Sequence, residues 1–105
     1  MLLRKGYDAG DIVSFKLVNG DEVVAKFVEP TTDGWLISKP CTVLPSQQGI
    51  GLMQSLFSSD INKDIELKNE HVMMHSPTIK ALQDHYLQTT TGIQLQTGGK
   101  GSIIA

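Results

Sequence analysis

Apolar and polar residues alternate most regularly between Gly10 and Val28. Val13, Phe15 and Leu17 alternate with Ile12, Ser14 and Lys16, and after a break Val23, Ala25 and Phe27 alternate with Val24, Lys26 and Val28. Successive side chains of a strand point to opposite faces, so this period of two predicts two strands, about 11–17 and 22–29, each with one mainly apolar face. Asn19-Gly20 between them is a strong hairpin signal, because a tight turn needs positive φ, which Gly takes freely and Asn tolerates. Pro30 ends the second strand, since it has no N–H for the ladder. The opposite face is mixed, with Ile12, Val24 and Val28 beside Lys16 and Lys26.

Further along the signals are shorter. Thr31 to Gly34 reads as a turn. Trp35 to Ser38 opens a third strand, which Cys41 to Leu44 continues past a bulge at Pro40. Residues 45–51, rich in Pro, Gln, Ser and Gly, read as a loop. Leu52 to Phe57 reads as a strand, with helix as the alternative spacing. Asp64 to Leu67 and His71 to His75 read as a second hairpin across Lys68-Asn69-Glu70. Ser76-Pro77 suits a helix start, and Ile79, Leu82 and Tyr86 recur at helical spacing, so a C-terminal helix is expected over about 77–90, with that stripe packed on the sheet. Gly92 suits its stop. The division expected is a lead-in at 1–9, one domain at 10–92 and a flexible Gly-rich tail at 93–105.

Composition narrows the classes. With 105 residues there is room for one domain. Nine basic against eleven acidic residues give a net charge of −2, which argues against a broad cationic surface for non-specific nucleic-acid binding. The one cysteine, Cys41, excludes an internal disulfide, and no cysteine pair exists for zinc. There is no apolar run of the ~20 residues a membrane helix needs. The N-terminal residues carry no signal-peptide pattern. The expectation is a soluble cytoplasmic protein without cofactor or metal, and without a membrane partner.

Candidate chemistry is sparse. His71 and His75 have metal-pair spacing on a helix, but on a strand they stand ~13 Å apart. Asp60-Ile-Asn62-Lys-Asp64 begins like a calcium loop, but Ile65 and His71 stand where that loop needs Gly and Glu. No nucleophile–base pair and no phosphate-binding Gly loop appears, so an enzyme is not expected. Trp35 beside Gly34 offers a face on which a base can stack, or it caps the core. Lys68 and Asn69 suit phosphate and a base edge, or are an ordinary solvated turn.

Two motifs carry a family resemblance. Phe15, Leu17, Asn19-Gly20, Val23, Ala25 and Phe27 follow the first Sm motif, and Leu67-Lys68-Asn69-Glu70-His71-Val72, running on to Ser76-Pro77, follows the second. Over roughly residues 11–77 the chain resembles the Sm-like (LSm, Hfq-type) family, and is most similar to its marine-phage members, which place a helix after the barrel. Ala25 replaces the family glycine, Thr31, Gly34 and Trp35 replace the loop Asp, Met and Asn, and Lys68-Asn69 replaces Arg-Gly, losing the planar guanidinium fork. The resemblance implies a mainly β fold, a strongly bent five-stranded antiparallel small barrel with a C-terminal helix, closed head to tail into a homomeric ring of about five to seven subunits. It implies RNA chaperoning or scaffolding in a bacterial or phage-infected cytoplasm. The single-stranded RNA would lie on Trp35 and Lys68, with Asn69 and His71 as secondary contacts. The rival reading is a structural or protein-interaction ring without RNA.

Overall fold

The computed structural model describes residues 6–95, and their side chains as far as residue 91. The chain is mainly β, with six antiparallel strands in one open sheet and a helix behind it. β1 (Ile12–Leu17) and β2 (Glu22–Pro30) form the expected hairpin, with Phe15 opposite Val23. Only Gly20 takes positive φ in the turn, at 100°, while the Asn19 side-chain oxygen accepts the Asp21 N–H at 2.9 Å. The turn is therefore tightened by a glycine after an ordinary turn, and Asn19 serves as a local cap rather than in a left-handed conformation.

β3 (Gly34–Ser46) is the longest strand, and it pairs with β2 along one edge. The register slips where Lys39-Pro40 lies opposite Ala25, and Lys39 takes φ 49° there. Along its other edge β3 carries two short strands end to end, β4 (Gly49–Gln54) and β5 (Ile65–Lys68). Residues 45–51 are therefore mostly strand, because Pro45 pairs with Ile50 and only Gln47-Gln48 turn.

The expected hairpin between 64–67 and 71–75 does not form. After β5 a single 3₁₀ turn, Asn69–His71, swings the chain across to β6 (Val72–Pro77), which pairs with β1 instead. The physical reason is burial: Ile65 and Leu67 lie opposite Ile37 and Trp35, while His75 and Val72 lie opposite Phe15 and Leu17. The strand order is β4-β3-β2-β1-β6, with β5 also on β3, so six strands replace the five expected and the sheet is not closed.

Two apolar layers result. Val13, Phe15, Ala25, Phe27 and Ile37 fill the concave face, with Trp35, Leu67 and Val72 partly buried against them. On the convex face Ile12, Val24 and Cys41 lie under α1 (Lys80–Leu95), whose Tyr86 is fully buried. The mixed face of the hairpin is thus the helix-covered one, where Ile12 and Val24 are core residues.

The helix starts later than its sequence signals suggest, because Ser76 and Pro77 continue the ladder opposite Ser14 and Val13. Thr78 then anchors the crossing: its N–H donates to the Ile12 carbonyl at 3.0 Å, and its hydroxyl shares a hydrogen bond with Ser14 at 2.7 Å. Leu82 and Tyr86 face the sheet, but Ile79 is 70 % exposed, since it precedes the first helical residue and points away from the stripe. Gly92 is inside the helix, which runs to Leu95, so residues 93–95 of the expected tail are helical. The rest of that tail lies outside the described residues.

Candidate functional site

β3 and β5 position two of the four residues expected to contact RNA, and the 3₁₀ turn after β5 carries the other two. Gly34 is opposite Lys68 and Trp35 is opposite Leu67. Because side chains alternate along both strands, Lys68 projects from one face and Trp35 from the other. Trp35 is a strand residue on the concave face, not a loop-tip residue: its ring centroid lies 5.2 Å from Phe15 and 5.0 Å from His75. The two residues singled out as primary contacts thus stand one register position apart across the ladder, with divergent side chains.

Lys68 and Asn69 sit in a shallow depression of ≈ 390 Å³ with Thr32, Asp33 and Glu70. The two motif loops meet here: the Asn69 N–H donates to the Asp33 carbonyl at 2.7 Å. The Lys68 ammonium stands 3.6 Å from Asp33 and 3.8 Å from Glu66, both exposed. Glu66 is held in place by the Thr31 hydroxyl, which donates to it at 2.8 Å. Exposed pairs of this kind contribute little stability, but they give the one cation among the described residues of the depression two acidic neighbours. His71 lies beside the depression, its ring 3.5 Å from the Glu70 carboxylate and its carbonyl accepting the Val18 N–H at 2.9 Å.

A second concavity opens on the other face. Tyr7, Phe27, Pro30, Trp35, His75 and Pro77 line a cleft of ≈ 870 Å³. Its rings contact one another: Tyr7 to His75 at 5.6 Å and Tyr7 to Phe27 at 5.8 Å between centroids. The Tyr7 hydroxyl and His75 Nδ1 share a hydrogen bond at 2.7 Å. Sequence reading missed Tyr7, which lies in the lead-in, and His75, weighed only as half of a metal pair. The available signal for His75 was its strand parity, which sets it opposite Phe15.

Cys41 is buried on the convex side, where burial pushes its thiol from the ordinary 9.0 up to about 11. A thiol so protonated is no nucleophile at neutral pH. The unfolded chain loses this proton near pH 9.0 and the folded one only near 11, so the associated stability is complete below 9.0 and drains away as pH rises towards 11. That amounts to on the order of 2–3 kcal/mol. Burial, together with neighbouring Cys41, raises Tyr86 in the same direction. Urea midpoints under reductant should therefore fall between about pH 8 and about pH 10.5, and fall less for Cys41→Ala. An equal fall in both chains would place the loss elsewhere.

Among the described residues no cluster of His, Cys, Asp and Glu could hold a metal, and no helix is long and apolar enough to cross a membrane. The sequence matches no protein-family model and no curated protein.

Proposed function

We propose that this chain is the subunit of an Sm-like ring that binds single-stranded RNA. The observation that carries the reading is the pair of bare sheet edges. β4, with sequence GIGLMQ, and β6, with sequence VMMHSP, contain neither Lys nor carboxylate, and their one proline, Pro77, stands at the very end of β6 and leaves Val72 to Ser76 unguarded. Met73 and Met74 are 59 % and 61 % exposed on β6, and Ile50 is 48 % exposed on β4. Natural proteins shield unpaired edges with charge, proline or a covering element, and edges without such guards pair with another strand. One edge at each end of the sheet gives a head-to-tail contact, which closes into a ring when the rotation permits. The route of the chain supports the same family: an Asn-Gly hairpin, a long bent third strand, and a 3₁₀ corner leading back to β1. The meeting of the two motif loops at Asp33 and Asn69 supports RNA as the ligand within that family reading.

Sedimentation velocity at micromolar protein, with and without labelled U-rich or A-rich RNA, tests both halves. The parent should sediment as one closed multiple of the subunit and carry RNA. Met74→Lys, which sets a charge on the β6 edge, should shift it towards monomer without loss of secondary structure. A monomeric parent would sink the ring. A ring that carries no RNA would favour a structural assembly, the reading to which the two carboxylates beside Lys68 point.

A further inference from the structure

We propose that the base is held in the concave cleft between Tyr7, Trp35 and His75, not in the depression around Lys68. This inference rests on the RNA-binding reading, and identifies the ligand group as a single unstacked base of the strand. Three aromatic rings converge there, and base–aromatic stacking is the sequence-tolerant way of holding a single strand. The cleft volume, ≈ 870 Å³, lies within the range of sites that enclose small planar ligands. Its rim is polar. The Tyr7 hydroxyl engages His75 Nδ1 and so fixes the imidazole, leaving Nε2 for a base edge. The indole N–H of Trp35 has no acceptor among the described residues, and Asp11, whose carboxylate accepts the Asp8 N–H at 2.9 Å, lines the same cleft.

The aromatic lining favours a base within a strand over a free nucleotide. Among the described residues lining the cleft there is no Lys or Arg to hold a phosphate. A single site is then weak, and affinity accrues when several subunits of one assembly each take a base from one strand. Binding of this kind releases few counterions and depends little on salt. The Lys68 depression offers the opposite chemistry, a cation already engaged by Asp33 and Glu66.

Trp35 is the only tryptophan of the chain, so its emission reports directly on the cleft. The full-length protein should be titrated at low and high salt with oligo(U), oligo(A), UMP and AMP. The oligonucleotides should quench Trp35 emission with a shallow salt dependence, and the mononucleotides only at far higher concentration. His75→Ala should weaken oligonucleotide binding by about tenfold or more, while Lys68→Ala leaves it unchanged. His75→Gln, which keeps polarity and removes the ring, should weaken it likewise if His75→Ala melts early. RNA binding without any change in emission, lost in Lys68→Ala and kept in both His75 variants, would overturn the cleft and leave the RNA reading standing. Quenching by mononucleotides as tight as by oligonucleotides would overturn the strand as the source of the base. Quenching by an aromatic peptide alone would overturn the base itself. Absence of any RNA binding would overturn both readings.

Discussion

Tyr86→Ala should remove a large share of the stability of the domain. Tyr86 is the largest fully buried side chain, packed over Ile12, Val24 and Cys41. Its hydroxyl is shared between the Ser38 carbonyl at 3.0 Å and the Lys39 carbonyl at 2.8 Å. Those carbonyls belong to the point where β3 bends and Lys39 takes positive φ, so the helix pins the irregular part of the sheet. Truncating a buried aromatic costs about 3–5 kcal/mol, against a total of about 5–15 kcal/mol for a small domain. Tyr86→Phe keeps the ring and loses the hydrogen bond, at about 1–2 kcal/mol. Lys80→Ala breaks only the exposed pair with Asp84 at 2.8 Å, and should cost no more than about 0.5 kcal/mol. Urea unfolding of the three variants should rank them in that order. Equal small effects of Tyr86→Ala and Lys80→Ala would mean that the helix is not docked.

The first hairpin was legible because its determinants are local: alternation fixes the faces and Asn19-Gly20 fixes the turn. The pairing partners of later strands were not, because a three-residue polar link reads the same whether it closes a hairpin or turns a corner. Only burial decides, and Ile65 and Leu67 find β3 while His75 finds Phe15. The helix stripe was legible at Leu82 and Tyr86 but not at Ile79. Ser76-Pro77 carries a helix-start signal, and the ladder to Ser14 and Val13 overrides it. The resemblance sets Trp35 and Lys68 in two loops that would share one ligand, whereas strand parity sends their side chains to opposite faces. Tyr7, Trp35 and His75 are far apart in sequence and meet only through the register of β1 with β6 and the return of the lead-in, so no motif could announce their cleft.

Gly34→Ala should detach β5 from β3. Gly34 does not need left-handed backbone; it needs space. A Cβ there would fall inside the van der Waals shell of the Leu67 carbonyl oxygen and 3.0 Å from the Asn69 nitrogen. Both neighbours are backbone, so no side-chain rotation relieves the clash and the strand itself must move. Leu67 would then leave the concave core, and the hydrogen bond from Asn69 N–H to the Asp33 carbonyl would open. Over-packing typically costs about 1–3 kcal/mol, and a backbone-on-backbone clash belongs at or above the top of that range. Gly51→Ala is the matched control, since its nearest neighbour, the Leu44 carbonyl oxygen, would be 3.7 Å away in ordinary contact. Hydrogen exchange should show lost protection at residues 65–69 in Gly34→Ala, alongside a lowered urea midpoint, and neither change in Gly51→Ala. Equal protection in both variants would mean that β5 does not approach β3 as closely as the register requires. Because β5 carries Lys68 while Trp35 and His75 are held by β3 and β6, the same variant also separates the two candidate surfaces. The depression should be lost with β5, and Trp35 emission should still respond to oligonucleotide wherever the domain stays folded.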